Sequence, residues 1–530
     1  MTPRYLIEFN SSELPHRFTD VLIIGSGVAG LRAALEAGRH SQVIVITKDE
    51  LKETNTDRAQ GGIAAAVAPD DSVDQHAADT LTVGRGLCEP HAVRFVVEQA
   101  PGFIAELAEW GAQFDREDDR FALAREGGHS CHRVVHAHGD STGAEIERVL
   151  IDRVRQCPAV SRVEHTFVVD LLTFDHTCLG AVTWSQAHGL TLIWANAVVL
   201  ATGGAGQVFR ETTNPPIATG DGLAMAYRAG CRLRDLEFVQ FHPTTLYVAG
   251  AARVLISEAA RGEGGILLNK LGERFMGQYS DMKELAPRDV VSRAILAEMK
   301  RTGDTNVYLD LTHVDPARLA ARFPRIKDLC MLFDIDISED LIPVCPSAHY
   351  LIGGVATDLQ GRTNIQQLYA CGETASSGLH GANRMGSNSL LEGLALGKST
   401  GATAGTHAAG RGSPSLHKIQ VPAREPASGT IDLDDLRNSL RSSMWRDAGI
   451  VRNAQQLDRA RKSIAFWSGY ALVRQFDGPR GWRTQNMLTV ADLMTRTALE
   501  REESRGVHYR SDFPETDQVA QHSICTRTDD

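Results

Sequence analysis

Three junctions at which an apolar strand runs into glycine predict an α/β fold: TDVLIIGSGVAG at 19–30, ANAVVLATGGAG at 195–206 and QLYACGE at 367–373. The first is followed by a small-residue helix, LRAALEAG (31–38), and a second strand, QVIVIT (42–47), so it opens a β-α-β unit. The junctions lie far apart, so one Rossmann-like nucleotide-binding domain is assembled from the segments 1–238 and 353–415, with 239–352 inserted as an α+β domain. A Pro-, Ser- and Gly-rich stretch at 411–430 reads as a linker. Beyond it, LDDLRNSLRSSMWRDAGIVRNAQQLDRARKSIAFW and NMLTVADLMTRTALEREESRG have helical spacing, which predicts a C-terminal helical bundle within 425–530.

A chain of 530 residues is long enough for several domains and a large core. Its 42% hydrophobic and 23% charged residues are those of a soluble globular protein. A net charge of −11 disfavours nucleic acid as a partner, because phosphate backbones are bound by Lys and Arg. It leaves room for a local basic site facing a small anion. The nine cysteines are scattered, without C-x-x-C spacing, so neither a disulfide framework nor a metal centre is expected. The N-terminal MTPRYLIEFNSSELPHRF is interrupted too soon by Glu8 and Asn10 for a signal peptide. No run approaches the roughly 18 apolar residues of a membrane span. The expectation is a cytoplasmic protein without membrane contact.

GSGVAG (25–30) follows the first strand and fits G-x-G-x-x-G. Gly25 allows the tight turn, Gly27 lets the backbone approach a pyrophosphate, and Gly30 permits close helix packing. Ser26, Val28 and Ala29 complete the turn, whose helix N-terminus offers free N–H groups to an anion. The acid expected at the end of the second strand is missing: the strand ends Ile46-Thr47-Lys48, so a ribose contact falls to the backbone or to Lys48. At the third junction a strand ends in Glu373, after Gly372, which resembles the second signature of FAD-binding proteins, where an acid binds the ribityl chain. NSLLEG (388–393) then starts a helix whose first turn, at Ser389 and Leu390, can stabilise negative charge on a flavin. A tricyclic ring needs backbone packed flat against it. TNTDRAQGGIAAA (54–66) supplies small residues for that approach: Ala59, Gly61, Gly62 and Ala64. Its polar Asn55, Thr56, Asp57, Arg58 and Gln60 then meet ribityl and phosphate groups.

From about residue 19 to 515 the chain resembles the succinate dehydrogenase/fumarate reductase flavoprotein family. The resemblance rests on GSGVAGL, TDRAQGGIAAA, REGGHSCHRVVHAHGDSTGAEI, GDGLAMAYRAG, FVQFHPTTL, LISEAARGEGG, APRDVVSRAI, CPSAHYLIGGV, LYACGETASSGLHGANRMGSNSLLEG and ESRGVHYRSDFPE. It implies FAD as cofactor, a capping role for the inserted domain, and further cofactor contacts at Val169, Ala201, Gly203 and Asp221. Members that bond flavin covalently carry a His six residues before the first Gly of the loop pair; here that position is Asn55, so FAD is expected to be non-covalent. REGGHS (125–130) is a feature of the amino-acid-oxidising branch.

That branch implies oxidation of L-aspartate to iminoaspartate, with O2 (giving H2O2) or fumarate as acceptor. The product feeds quinolinate and hence NAD synthesis, with quinolinate synthase as a candidate partner. Two substrate carboxylates must be fixed and a proton moved, which calls for cations and donors. By resemblance Arg384 with His349 grips one carboxylate, and His242 with Ser257 the other. Ser257 stands where relatives often have Thr and keeps the hydroxyl. Arg288, at a helix start where a cation opposes the dipole, matches the family's proton donor and acceptor, with Glu258 as a relay partner. Glu126 is the anionic partner for a substrate ammonium. The nearest rival is a flavoprotein subunit of a succinate dehydrogenase or fumarate reductase complex; Asn55 and Glu126 argue against it.

Overall fold

The computed structural model describes residues 2–250, 252–422 and 430–527. Its central seven-stranded sheet is built around β1 (His16–Ile24), which is followed by α1 (Val28–Ala37) and β2 (Val43–Ile46). α2 (Thr142–Arg155) leads into β3 (Val160–Val163), and β4 (Thr166–Phe174), β5 (Thr177–Ser185) and β6 (Gly189–Leu200) follow as an antiparallel meander. β6 is the pivot of the sheet. It pairs in parallel with β1 along Leu192–Leu200, while β1 pairs with β2 and β2 with β3. The inner strands are apolar on both faces because both are covered. Side chains alternate across a strand. Val21 and Ile23 therefore join one core cluster with Leu31 and Leu394, and Leu22 and Ile24 join another with Leu440 and Met487.

The inserted span forms a four-stranded antiparallel sheet and a core of its own. β7 (Val239–Leu246) enters it, followed by β8 (Ile266–Leu268), α3 (Arg288–Thr302), β9 (Val307–Asp310) and α4 (Pro324–Met331); β10 (Ile342–Leu351) leaves it beside β7. β7 crosses between cores: Val239 and Phe241 pack in the central one, Leu246 in the inserted one.

The chain then returns with β11 (Leu368–Ala370), parallel to the end of β6, and with α5 (Asn388–Ala408). Gly393, Gly397, Gly401 and Gly405 recur every fourth residue along α5 and face α1. A Cβ at Gly401 would stand 2.3 Å from the Ala33 carbonyl oxygen, so this glycine row lets the two helix backbones touch. The N-termini of α1 and α5 are thereby brought together.

The expected linker carries a short strand, Gln420–Val421, paired with Phe9–Asn10; residues 423–429 of that linker lie outside the described residues. The C-terminal helices are α6 (Leu433–Asp447), α7 (Ala454–Ala471) and α8 (Pro479–Glu500). The first helical stretch read from the sequence divides at 448–453, where the Asn453 side chain caps α7 by accepting from the Gln456 N–H. The second starts earlier than read, with Pro479 in its first turn, and ends at Glu500. Beyond it Arg501 and Arg505 enter buried ion pairs with Glu237 and Glu503, and Ile524–Cys525 joins a small sheet beside Leu233–Arg234.

Candidate active site

The N-termini of α1 and α5, the loop 54–62 and the inner edge of the inserted sheet enclose one cavity of about 470 Å³. Every candidate site residue from the sequence lines it except Gly30, Ala64 and Val169; Ala64 is buried on a short strand, its N–H donating to the Ser387 carbonyl at 3.0 Å. Gly30 acts through packing: a Cβ there would stand 2.1 Å from the Gly25 carbonyl oxygen. Val169 is a correction. It sits on β4 with its side chain in the cluster around Trp194, and its carbonyl accepts from Arg228 Nη2 at 3.1 Å. Its neighbours Thr166, Phe167 and Val168 line the cavity instead, just before the register irregularity between Val168 and Asp170.

The cofactor end is lean by necessity. Gly25 has φ +113°, and a Cβ there would meet the Ala201 carbonyl oxygen at 2.1 Å. Thr56 Oγ1 accepts from the Val28 N–H at 3.1 Å, tying the loop to the start of α1. At Gly62 a Cβ would strike Val134 at 2.3 Å. Asn55 Nδ2 donates to Glu373 Oε2 at 3.1 Å, and Glu373 Oε1 accepts from the Leu351 N–H at 3.0 Å. Burial pushes the Glu373 carboxyl up to about 7. Lys48 is held by Asp221 and by Thr219 Oγ1, so the strand end that lacks an acid borrows one from across the sheet. Asp57 and Arg58 also pair with protein groups: Arg58 with Glu53 at 2.7 Å, and Asp57 with Arg325 of α4 at 3.8 Å.

At the other end the inserted span contributes His242 from β7, Arg288 from the first turn of α3 and His349 from β10. Ser257 caps the short helix Glu258–Gly262 by accepting from the Ala259 N–H at 3.3 Å. Arg288 Nε donates to Glu258 Oε2 at 2.7 Å, and Arg261 Nη2 donates to Glu258 Oε1 at 3.0 Å. Burial would raise the Glu258 carboxyl, but Arg288 and Arg261 hold it below the usual carboxylate range. Arg384 and Arg288 are bridged by Gln240 Oε1, which accepts from both at 3.1 and 3.2 Å. The Arg384 guanidinium also lies 4.7 Å from the Tyr350 ring centroid. Burial, with Arg288 next, brings Arg384 down to about 10, so it stays cationic at neutral pH. Burial and the nearby Arg288 push both His242 and His349 well below the usual imidazole value, so both are neutral donors or acceptors. Their rings are 5.3 Å apart.

Glu126 stands beside these cations. Its Oε2 accepts from Ser387 Oγ at 2.9 Å. A Cβ built on Gly386 would lie 2.6 Å from Glu126 Oε2 and 3.2 Å from both Arg288 Nη2 and Glu258 Oε2, which measures how closely the three groups gather. Burial raises the Glu126 carboxyl, Glu258 adds to the rise, and Arg288 opposes it.

Gln240, Arg261, Tyr350, Gly386 and Ser387 were not singled out from the sequence. Gln240 was within reach, since it precedes His242 by two residues and shares its strand face. So was Arg261, three residues after Glu258 on one helix face. Ser387 gave no local signal: it caps α5 in a left-handed conformation, φ +62°, that only the surrounding contacts impose.

The cavity's own unmet chemistry fits FAD. Gln60 Oε1, His242 Nε2 and Arg384 Nε are buried on its lining without a hydrogen-bond partner, while glycine turns and two helix N-termini face the same space. Residues 20–390 match the family described as FAD binding domain, and 437–530 match the fumarate reductase flavoprotein C-terminal family. The chain is 43% identical over 524 residues to L-aspartate oxidase 1 of Ralstonia nicotianae, covering 94% of this chain and 96% of that one. The chain belongs to the succinate dehydrogenase/fumarate reductase flavoprotein family, in its L-aspartate oxidase branch. L-aspartate oxidase from Nostoc sp. is 42% identical and covers 99% of this chain and 96% of its own. Quinol fumarate reductase from E. coli superposes with a TM-score of 0.88 at 34% identity, over 97% of this chain and 95% of that one. As in this flavoprotein family, the cofactor is FAD. Among the described residues no helix is long and apolar enough to cross a membrane.

Proposed function

We propose that this chain oxidises L-aspartate to iminoaspartate as the first step towards quinolinate and NAD. The observation that carries the reading is the acid Glu126 set among the cavity's cations. An anion beside Arg288 and Arg384 matches a substrate that bears two carboxylates and an ammonium. Arg384 and His349 hold one carboxylate, and His242 Nε2 with Ser257 Oγ holds the other. The Arg384 fork is preset by Gln240, Ser389 and the Tyr350 ring, so little freedom is lost on binding. Glu126 receives the ammonium and fixes which Cα–H is presented.

Bound FAD, held without a covalent bond because Asn55 has no nucleophilic side chain, supplies the two-electron chemistry, with O2 (giving H2O2) or fumarate as final acceptor. Arg288, Glu258 and Arg261 form a buried line of charge-assisted hydrogen bonds away from the substrate end, a route for a proton to leave or enter. The nine cysteines are all free, in keeping with a reducing cytoplasm.

The test is peroxide release by the purified yellow protein with L-aspartate, D-aspartate, L-glutamate and succinate. L-aspartate alone should turn over well, and Glu126→Gln should weaken L-aspartate far more than succinate. A wild type equally active on succinate would return the chain to the dicarboxylate dehydrogenases.

A further inference from the structure

The loop that carries Glu126 is pinned by a residue that touches neither substrate nor cofactor end. His129 is almost fully buried and does not line the cavity. Its N–H donates to the Glu126 carbonyl at 3.2 Å, and its own carbonyl accepts from Arg125 Nε at 2.9 Å, closing the turn. Its ring meets two partners, 3.0 Å from the Gly386 carbonyl at Nε2 and 3.3 Å from Arg133 Nη1 at Nδ1. A guanidinium can only donate and a carbonyl can only accept. The tautomer is therefore dictated: Nδ1 accepts from Arg133, and Nε2 carries the proton to Gly386.

Arg133 is itself immobile. It is fully buried, and Asp71 grips its Nε and Nη2 at 2.8 Å each while Asp79 takes Nη1. Burial, the neighbouring His76 and the Arg133 cation hold the His129 ring down to about 4, so it stays neutral through the working range. The ring is thus a fixed strut between a rigid ion cluster and the Gly386 backbone.

We infer that His129 is a positioning residue for amine recognition, locking the Glu126 turn to the Gly386–Ser387 segment and so setting where the Glu126 carboxylate meets the substrate ammonium. Two ties join the same segments. The backbone of residue 126 is held by His129, whose ring grips residue 386, and the carboxylate of residue 126 is held by the residue 387 hydroxyl. Without the imidazole bond only the second remains, and Glu126 drifts with its turn. The clamp at His242 is on another strand, and Arg384, two residues before Gly386, is held separately by Gln240 and Ser389, so both keep their geometry. The far end of the turn stays anchored whatever residue stands at 129, because Ser130 donates to Asp79 through both its N–H and its Oγ, at 2.8 and 2.7 Å.

This inference rests on the assignment of L-aspartate as substrate, and the test separates the two. In His129→Gln the side-chain amide reaches far enough to donate to the Gly386 carbonyl; in His129→Asn it does not. The holoenzyme is assayed for peroxide release, with KM and kcat for L-aspartate, the inhibition constant of succinate (which lacks the ammonium) and flavin content. In His129→Asn the KM for L-aspartate should rise roughly 10- to 100-fold, the scale of a misplacement near 1 Å. Succinate should stay within about threefold, with FAD retained and kcat less affected than KM. His129→Gln should recover most of the L-aspartate KM. If His129→Asn gives no soluble holoenzyme, His129→Met, which fills the space without donating, reports the same ratio. Equal weakening of both ligands, or an unchanged L-aspartate KM, overturns the inference alone. A wild type that releases no peroxide from L-aspartate overturns the substrate assignment and the inference together.

Discussion

Adding one methyl group at Gly386 probes the site more directly than removing any of its charges. The backbone there accepts alanine, since its φ is not among the positive values, so the perturbation is steric. The new Cβ would sit 2.6 Å from Glu126 Oε2, and ordinary contact begins at 3.4 Å, so the carboxylate must retreat by about 0.8 Å. Arg288 Nη2 and Glu258 Oε2, both at 3.2 Å, need move only about 0.2 Å. The displacement therefore falls on Glu126 and strains its bond from Ser387. Overpacking of this kind costs about 1–3 kcal/mol. A hydrogen bond to a charged group is worth about 1.5–3 kcal/mol. Gly386→Ala should then lower kcat/KM for L-aspartate by roughly 10- to 100-fold. Flavin content should be unchanged, because the three nearest atoms to the methyl belong to Glu126, Arg288 and Glu258 and none to the cofactor loops. The assay is peroxide release against L-aspartate concentration, with succinate inhibition measured in parallel. Wild-type kcat/KM in a flavin-loaded Gly386→Ala protein would refute the placement of Glu126 beside the two cations.

Arg288→Lys keeps the charge but loses the fork that meets Glu258 and Gln240 at once. Its turnover should fall by about 100-fold or more with normal flavin absorbance, and undiminished peroxide release would remove Arg288 from the chemistry. Acid precipitation should leave the flavin in the supernatant, because the Asn55 amide forms no bond to it; a yellow pellet would contradict that. Glu147 on α2, whose Oε1 accepts from Thr54 at 2.6 Å, is pushed up to about 9 by burial. The folded chain thus keeps a proton that the unfolded chain releases above its ordinary value of 4.5. Between those limits this group makes stability fall as pH rises, by at most about 1.4 kcal/mol per pH unit. Glu147→Gln abolishes the titration. In urea denaturation the variant should gain on the wild type steadily from about pH 5 to 9, and a pH-independent difference would show that Glu147 is ionised in the fold.

Where a residue's task depends on near neighbours in the chain, the one-dimensional pattern was enough. The glycine turn at 25–30, the lean loop at 54–66 and Glu373 after Gly372 are legible because backbone geometry and close approach dictate residue type locally. The row of glycines at 393, 397, 401 and 405 was not among the sequence expectations, and contact with α1 shows its purpose. Val169 marks the limit of carrying residues over by resemblance: which side of β4 faces the cavity is set by sheet register, and Val168 occupies that face. The linking residues needed the folded chain. Gln240 against Arg384, Ser387 under Glu126 and His129 against Gly386 join segments more than a hundred residues apart.

By itself the sequence determined that a nucleotide-binding fold is assembled across α/β junctions, and by resemblance it singled out His242, Arg288, His349 and Arg384 as candidates to face an anion. The tertiary structure alone decided how those side chains are held apart, paired and kept neutral or charged. The reason is physical. Turns and helix starts are governed by torsions a few residues long, whereas the charge state and aim of a buried side chain depend on solvent exclusion and on partners that only folding brings within 3 Å.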